Sequence, residues 1–233
     1  MSNIGYKIYK QIDRLEKKKI ERFKDIPTTV IGDCMNRTAA LPSTLKPLNN
    51  SKLIGSAYTV DVTAGDNTLI YYAIDNAKPG DVIIVAGLGY SERALCGEIM
   101  VSLAIKREIN GLVVHGAIRD KEELSKLNFP VYAVSSSSNG PFKNGPGTIN
   151  APIAIGDRVI YPGDIIVGDQ SGIITFHPSE ADYLHEAAQK VIEKENQMMK
   201  SIKEDSYLEL AWMYEKLKID KCEIQEKFRG GLF

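Results

Sequence analysis

The sequence predicts an α/β protein built as a layered sandwich around a mixed sheet. Two unbroken apolar runs, residues 82–86 and 112–115, are typical of strands buried on both faces, and helical patterning flanks each of them. From residue 140 to residue 178, glycines and prolines separate short β-rich stretches and leave no room for a long helix. An eightfold βα barrel would need helices between those later strands, so a layered sandwich fits better.

The N-terminal segment, residues 1–26, is predicted to be an amphipathic helix. Its apolar residues recur at roughly helical spacing among charged ones, at Ile8, Ile12, Leu15, Ile20 and Phe23. Pro27 ends this pattern. Thr28 and Thr29 then suit the start of a short second helix that reaches Met35.

Residues 27–200 are predicted to form the α/β domain. Helices are expected over 67–76, 97–109 and 121–127, and strands over 53–62, 82–86, 112–115 and 130–134. Four short strands follow, at 151–155, 158–161, 165–167 and 173–176. The turn Pro-Gly-Asp precedes a strand twice, at 79–81 and 162–164, and we interpret this as the same turn chemistry used twice.

The C-terminal part is predicted to be helical. One helix is expected from Glu180 to about Lys203 and another from Asp205 to about Phe228, so that residues 201–233 form a helical extension. Neither helix carries an obvious chemical motif, which favours a role in packing or in contacts between subunits.

Composition excludes several classes of function. The chain has 233 residues and a formal net charge of −1, so no global field favours nucleic acid or an anionic membrane. No stretch approaches the roughly 18 apolar residues that a membrane span needs. The N-terminus lacks an apolar signal core, and we expect a cytoplasmic protein. Three widely spaced cysteines favour reduced thiols over a disulfide framework or a zinc site.

The segment from Gly87 to Met100 leaves a buried strand and enters a helix. Free backbone N–H groups at a helix start attract anions, so a carboxylate or phosphate would suit this place. An ordinary strand-to-helix loop is the alternative. The pair Gly87-x-Gly89 suggests a dinucleotide fingerprint, but Glu92 stands where the third glycine belongs, and the acidic ribose partner is missing.

A second segment, Gly111 to Asp120, ends a buried strand with an adjacent cation and anion. Ligands of open α/β sheets bind at the carboxyl ends of strands. Arg119 offers a planar donor fork for a carboxylate, and Asp120 offers hard oxygen for Mg²⁺ or Mn²⁺. In the alternative interpretation, Asp120 caps the helix that follows, with Glu123 at the capping-box position, and Arg119 is merely solvated.

Six blocks of the sequence together resemble the RraA-like family, which includes class II 4-hydroxy-4-methyl-2-oxoglutarate / 4-carboxy-4-hydroxy-2-oxoadipate aldolases and the regulator of ribonuclease E activity. The blocks lie at residues 28–33, 55–60, 78–85, 96–100, 111–120 and 162–173, in consistent order within about 27–191. The resemblance implies a sandwich of the swivelling β/β/α type. It also implies a homotrimer or homohexamer with sites between subunits.

The resemblance also implies roles for individual residues. Arg119 would bind substrate and take part in catalysis, and Asp120 would bind the metal. Substrate would also contact the loop Gly97, Glu98, Ile99 and Met100. Glu98 stands where aldolase members carry an acid, usually Asp, and regulator-type members tend to lack one. A neighbouring subunit would add an acid from its C-terminal region, where Glu193, Glu195 and Glu204 are available.

These roles predict a lyase that depends on Mg²⁺ or Mn²⁺ and cleaves a 4-hydroxy-2-oxo acid into pyruvate and a second carbonyl compound. Decarboxylation of oxaloacetate passes through the same enolate, so one site would serve both reactions. The alternative, from another class, is a non-catalytic regulator that binds an RNA-processing enzyme. Methyl transfer, an old label in this family, is disfavoured because no glycine-rich methionine-cofactor loop is present.

Overall fold

The computed structural model describes residues 4–204 and 210–226. The chain divides into two compact units, one up to Gln189 and one from Lys190. The first unit holds the strands β1 (Tyr6–Ile8), β2 (Lys46–Pro47), β3 (Leu53–Val62), β4 (Asp81–Cys96), β5 (Gly111–Ile118), β6 (Val131–Ser136), β7 (Gly147–Ile149), β8 (Ile153–Ile155), β9 (Arg158–Ile160), β10 (Ile165–Asp169) and β11 (Gly172–Phe176). The helices are α1 (Lys17–Glu21), α2 (Thr28–Cys34), α3 (Thr68–Asn76), α4 (Glu98–Lys106), α5 (Lys121–Lys126), α6 (Ala181–Lys203) and α7 (Ala211–Ile219).

The main sheet is mixed, as predicted. Its strands run in the order β1-β7-β3-β4-β5-β6-β2, and β10 pairs with both β3 and β11. The four central strands, β3 to β6, are parallel, whereas β7 and β10 pair antiparallel with β3. Because the central strands are parallel, their carboxyl ends meet at one edge of the sheet, where α/β proteins bind ligands.

Both faces of the sheet are buried, which confirms the layered α/β architecture. One face packs against α3, α4 and α5 through side chains such as Ile70, Val101 and Leu124. The other face packs against the separate β8–β9 hairpin and neighbouring segments through side chains such as Ile153 and Ile160. Because both faces of the sheet are covered, the central strands are unbroken runs of apolar residues.

Strand β4 is much longer than the predicted strand at 82–86. The residues from Gly87 to Cys96, predicted as a loop, continue β4 through several shifts of register against β5. Leu88 and Gly89 have positive φ angles of 59° and 67°, which lets the strand bulge and then rejoin its partner. The glycines at 87 and 89 therefore shape a bulge, away from any helix start, which agrees with setting the dinucleotide interpretation aside.

The N-terminal helix predicted over residues 1–26 is wrong for most of that range. Within residues 4–26, only Lys17–Glu21 are helical, and Tyr6–Ile8 form β1. β1 pairs with β7, and the amide of Tyr9 donates to the carbonyl of Ile149 at 3.0 Å. Here, long-range pairing along the edge of the sheet outweighs an apolar spacing that merely resembles a helix.

The C-terminal prediction holds in part. The helix expected from Glu180 to Lys203 is α6, which begins at Ala181. The helix expected over 205–228 is confined to α7, since residues 220–226 are not helical, while 205–209 and 227–233 lie outside the described residues. The second unit begins at Lys190, earlier in the chain than the predicted extension at 201. No helix of the described ranges is long and apolar enough to cross a membrane.

Candidate active site

The two predicted site segments meet at the carboxyl edge of the sheet. Strands β4 and β5 are parallel neighbours, and the amide of Arg119 donates to the carbonyl of Cys96 at 2.9 Å. Gly97 follows β4 and precedes α4, while Arg119 and Asp120 follow β5 and precede α5. Adjacent strand ends therefore bring the Arg119-Asp120 pair beside the start of α4.

Asp120 joins the two segments through its side chain. Its Oδ2 accepts a hydrogen bond of 3.0 Å from the amide of Glu98, 22 residues earlier in the chain. Asp120 stands at the N-cap position of α5 with a left-handed φ of 57°, but its side chain caps no amide of that helix. The capping alternative is therefore wrong: the carboxylate faces the start of α4. Its second oxygen, Oδ1, has no partner in the described part of the chain.

Gly97 makes this arrangement possible because it has no side chain. A Cβ at this position would overlap the Asp120 carboxylate and lie 2.8 Å from Cγ of Arg119. A contact that short would push both side chains away from the start of α4. Glycine is thus required here to let the cation and the anion approach the backbone.

Two of the four amides predicted to hold substrate are already engaged. The amide of Glu98 donates to Asp120, and that of Met100 donates to the carbonyl of Gly97 at 3.1 Å. The amides of Gly97 and Ile99 donate to no group among the residues described. Of the four N–H groups predicted to bind an anion, those of Gly97 and Ile99 therefore remain available. The Met100 side chain is buried and the Ile99 side chain is exposed.

Arg119 and Asp120 form a loose and accessible ion pair. The Arg119 Nε lies 3.6 Å from the Asp120 Oδ2, and the two side chains are 45 % and 39 % exposed. The Glu98 carboxylate is also exposed and has no partner among the described residues. Solvent can reach all three groups, so a ligand can reach them as well.

A cavity of about 180 Å³ opens between α4 and the loop 139–145, with Arg119 in its wall. Lys143 provides a second cation, and Gly97, Ile99 and Met100 line the side nearest α4. The cavity is large enough for a small organic acid and carries positive charge.

Asn67 is a cavity residue that the sequence reasoning missed. Its Nδ2 donates to the carbonyl of Leu95 at 3.1 Å and to the sulfur of Met100 at 3.3 Å. Its Oδ1 is buried and has no partner in the described structure. Asn67 lines the cavity through other atoms, because this oxygen itself has almost no accessible surface. From the sequence, Asn67 was only the start of a helix, and no local signal shows the long-range contacts.

Asp66 holds the far wall of the cavity. Its carboxylate accepts from the amides of Thr68 at 2.9 Å, Asn144 and Gly145 at 3.0 Å. Burial would raise the pKa of Asp66, but these backbone donors outweigh it and hold the pKa below its usual value. The Arg93 guanidinium adds a bond to the carbonyl of Gly140 and lies 4.0 Å from the centre of the Phe142 ring. The loop 139–145 is therefore held in place by hydrogen bonds to Asp66 and by contacts with Arg93.

Other titratable residues of the matching sequence blocks, Cys96, His115 and Asp33, are inert or lie apart from this site. Burial, with help from the charge of Asp120, raises the pKa of Cys96 to about 12, so its thiol stays protonated. Burial lowers the pKa of His115, which keeps this half-buried residue neutral. Asp33 pairs with Arg37 at 2.8 Å on the surface. Residues 169–172 form the hairpin turn between β10 and β11, and Asp169 accepts from the amide of Thr28 at 2.8 Å.

Comparison with known proteins identifies relatives over most of the chain. A model of the RraA-like family, described as Aldolase/RraA, matches residues 28–175. A protein of Halalkalibacterium halodurans named "Putative 4-hydroxy-4-methyl-2-oxoglutarate aldolase" is 40% identical over 172 residues, which are 73% of this chain and 82% of the relative. The 4-hydroxy-4-methyl-2-oxoglutarate aldolase of Thermus thermophilus is 29% identical over 148 residues, covering 63% of this chain and 90% of that protein.

Solved structures agree with the fold. The RNA-processing inhibitor RraA from Thermus thermophilis superposes with a TM-score of 0.60 at 27% identity, covering 64% of this chain and 92% of that one. An uncharacterized protein from Pseudomonas syringae superposes with a TM-score of 0.74 at 21% identity, covering 84% and 97%. The second likeness concerns the fold alone. Because the family model spans more than half of the sequence, this chain belongs to the RraA-like family.

Proposed function

We propose that this protein is a divalent-metal-dependent lyase that cleaves a 4-hydroxy-2-oxo acid into pyruvate and a second carbonyl compound. The observation that carries the proposal is that Gly97 lets a cation, a carboxylate and two amides converge, and that one carboxylate oxygen and both amides have no partner among the described residues. Relatives named as aldolases of this substrate class support it. The metal dependence, the substrate and the reaction of this chain are what we propose.

The acids present fit a hard divalent cation. Carboxylate oxygen is the preferred ligand of Mg²⁺ and Mn²⁺, and Mg²⁺ commonly binds through one or two carboxylates and keeps several waters. Asp120 offers its Oδ1, and Glu98, whose backbone amide donates to Asp120, carries an exposed carboxylate. No cluster of three His, Cys, Asp or Glu exists among the residues described, so water or another subunit would complete the coordination. Bound there, the cation would supply positive charge for the 2-oxo oxygen.

Arg119 binds the acid end of the substrate in this proposal. Its guanidinium lines the cavity and is exposed, so it can hold a carboxylate through two parallel N–H donors. The amides of Gly97 and Ile99 provide two further donors beside it.

Glu98 serves as the base. It removes the proton from the 4-hydroxyl, the C3–C4 bond breaks, and the electron pair moves onto the pyruvyl half to give the enolate of pyruvate. C4 leaves as the carbonyl carbon of the second product, and protonation of C3 completes pyruvate. The developing negative charge lies near the Arg119 guanidinium, whose positive charge stabilises it. Loss of CO₂ from oxaloacetate gives the same enolate, so the site would also decarboxylate that acid.

The proposal includes assembly as a homotrimer or homohexamer with sites between subunits. Asp120 and Glu98 supply acid oxygen at this edge, no group of three metal-ligating side chains exists among the described residues, and a metal site of this kind gains from another carboxylate. Glu193, Glu195 and Glu204 are exposed and available to a neighbouring copy. Sedimentation equilibrium would measure the assembly directly, and a monomer would remove this part of the proposal.

Non-catalytic regulation of an RNA-processing enzyme is the second candidate. One solved neighbour is named as an RNA-processing inhibitor, which is the observation that favours it. The free Glu98 carboxylate at the site argues for the lyase. Purified ribonuclease E retained on the immobilised chain, together with no lyase activity, would favour regulation.

The test is pyruvate release from 4-hydroxy-4-methyl-2-oxoglutarate with Mg²⁺, followed by a coupled assay. Asp120→Ala removes the metal ligand and is expected to lower kcat/KM about 1,000-fold, and Arg119→Ala about 100-fold or more. Asp33→Ala and Arg37→Ala remove an exposed ion pair elsewhere on the surface and serve as matched controls with unchanged activity. Wild-type protein without EDTA-sensitive activity on any 4-hydroxy-2-oxo acid or oxaloacetate would end the lyase proposal.

A further inference from the structure

Asp66 is a buried carboxylate that joins two segments around the cavity beside α4. It is 1 % exposed. One of its oxygens accepts from the amide of Thr68 in the first turn of α3, and the other accepts from the amides of Asn144 and Gly145 in the loop 139–145. Because both oxygens are engaged inside the protein, Asp66 cannot bind a ligand itself. Any effect of this residue on the cavity must pass through the segments that it joins.

Lys143 lies between two residues that are tied to the segment before α3. On one side, the amide of Phe142 donates to the carbonyl of Gly65 at 2.8 Å. On the other side, the amide of Asn144 donates to the Asp66 carboxylate. The backbone of Lys143 is therefore held through both of its neighbours, and this fixes the point from which its side chain leaves the loop.

The Lys143 side chain lines the cavity, and its ammonium lies 5.3 Å from the centre of the Tyr71 ring. This ammonium has no ion-pair partner within residues 4–204 and 210–226. Arg119 lines the same cavity, so two cations face one space of about 180 Å³. Like charges repel each other, and lysine has a long and flexible side chain, so the two cations do not hold each other in place. A fixed backbone is needed to keep Lys143 beside Arg119.

We propose that Asp66 is a positioning residue, which holds Lys143 at the cavity so that Lys143 and Arg119 bind one substrate acid together. This inference rests on the proposed lyase function and adds a residue that acts on substrate binding without touching the substrate. Hydrogen bonds to a charged acceptor are stronger than those to a neutral one. Burial raises the pKa of Asp66, but its backbone donors outweigh this effect and keep the pKa below its usual value. The charge of a carboxylate thus fixes the loop that carries Lys143.

The test measures kcat and KM separately for pyruvate release from 4-hydroxy-4-methyl-2-oxoglutarate with Mg²⁺. Asp66→Asn keeps the size of the side chain but turns an NH₂ group toward at least one of the three amide donors. It should raise KM about tenfold and change kcat less than about threefold, because Lys143 contacts the substrate in the ground state and in the transition state alike. Partial unfolding would lower the measured kcat alone, so KM reports the position of Lys143.

A double variant shows whether Asp66 acts through Lys143. Lys143→Met removes the ammonium and should raise KM about tenfold or more. Adding Asp66→Asn to Lys143→Met should change KM less than about twofold further, because no ammonium is left to position. Asp66→Glu keeps the charge but moves it by one methylene group, and it should also raise KM, by about threefold or more.

Asp164→Asn is the matched control. Asp164 is also buried and also accepts from a backbone amide, that of Tyr161 at 2.8 Å, but it is not among the residues that line the cavity. Its substitution should leave KM unchanged.

The outcomes separate the positioning role from the lyase function. An unchanged KM in Asp66→Asn, or in Lys143→Met, overturns the positioning role and leaves the lyase function standing. An Asp66→Asn effect of equal size with and without Lys143 shows that Asp66 acts on another part of the site, and also overturns the role. A KM that rises as much in Asp164→Asn shows a general loss of structure, with the same consequence. Wild type that releases no pyruvate from any 4-hydroxy-2-oxo acid or oxaloacetate overturns the lyase function and the positioning role together.

Discussion

Two arginine–aspartate pairs stand at opposite ends of the central strands. At the start of β4, Arg14 meets Asp81 through two contacts of 2.7 Å, and the Asp81 side chain is fully buried. At the end of β5, Arg119 approaches Asp120 only to 3.6 Å, and both side chains are more than a third exposed. The same two side chains thus form a closed pair at one edge and an open pair at the other.

The difference lies in what surrounds each carboxylate. Asp81 also accepts from the amide of Lys78 at 2.8 Å, so both of its oxygens are engaged inside the protein. In Asp120, Oδ2 is engaged, whereas Oδ1 has no partner within residues 4–204 and 210–226. A buried, doubly engaged pair has no capacity left for a ligand, and breaking it leaves an uncompensated charge. An open pair contributes little to stability but keeps its binding capacity.

The largest expected effect comes from breaking the closed pair. Arg14→Met leaves the Asp81 charge buried without its partner and should lower the free energy of unfolding by about 3 kcal/mol or more. Arg119→Met makes the same chemical change at the open pair and should cost less than about 1 kcal/mol. Urea denaturation of both variants measures the contrast. Equal losses would mean that the two pairs do not differ in the way described.

A smaller effect is expected when the open pair is displaced without removing either member. Gly97→Ala places a methyl group where the Asp120 carboxylate lies and should shift it by about 1 Å, which is enough to lower kcat/KM for pyruvate release about 100-fold. Gly32→Ala is the matched control, because its Cβ would make an ordinary contact of 3.5 Å with Ile174. Full activity in Gly97→Ala would argue that the position of Asp120 is unimportant.

The smallest effect concerns the loop opposite the open pair. Asp66→Asn weakens the bonds to the amides of Thr68, Asn144 and Gly145 and should lower the free energy of unfolding by about 1 kcal/mol at pH 7. The folded state lowers the pKa of Asp66, so its contribution is present above the unfolded pKa of about 3.9 and is lost as the pH falls through the folded pKa.

Denaturation of wild type and Asp66→Asn at several pH values tests this sign. The difference between the two proteins should be largest near neutral pH and should shrink below about pH 4. A difference that grows with acidity would show that the three amides do not stabilise the charged carboxylate.

The central strands could be predicted from sequence because burial on both faces produces an unbroken run of apolar residues. The runs 82–86 and 112–115 are apolar without interruption since each residue contacts one covered face or the other. The helix predicted for the N-terminal segment was wrong because Ile8, Ile12 and Ile20 are buried or paired at separate places in the fold. Their spacing along the chain only happens to resemble that of a helix. Edge pairing with β7 is not visible in the local pattern.

The position of the site could be predicted from sequence, but the hydrogen bonds within it could not. The Arg119-Asp120 pair stands at a strand end beside residues 97–100, a place that chain order and sheet geometry indicate. The engaged amides of Glu98 and Met100, and the buried oxygen of Asn67, depend on contacts between distant segments. Sequence patterns describe neighbours along the chain, so such contacts become visible only in the folded structure.

In the proposed lyase, the open Arg119–Asp120 pair holds a divalent cation through Asp120, and calorimetric titration with Mn²⁺ measures this binding. Wild type and the control Asp33→Asn should each bind one Mn²⁺ per chain, and Asp120→Asn should weaken binding by at least about tenfold while remaining folded. Mn²⁺ binding that is unchanged in Asp120→Asn would show that Asp120 does not hold the cation.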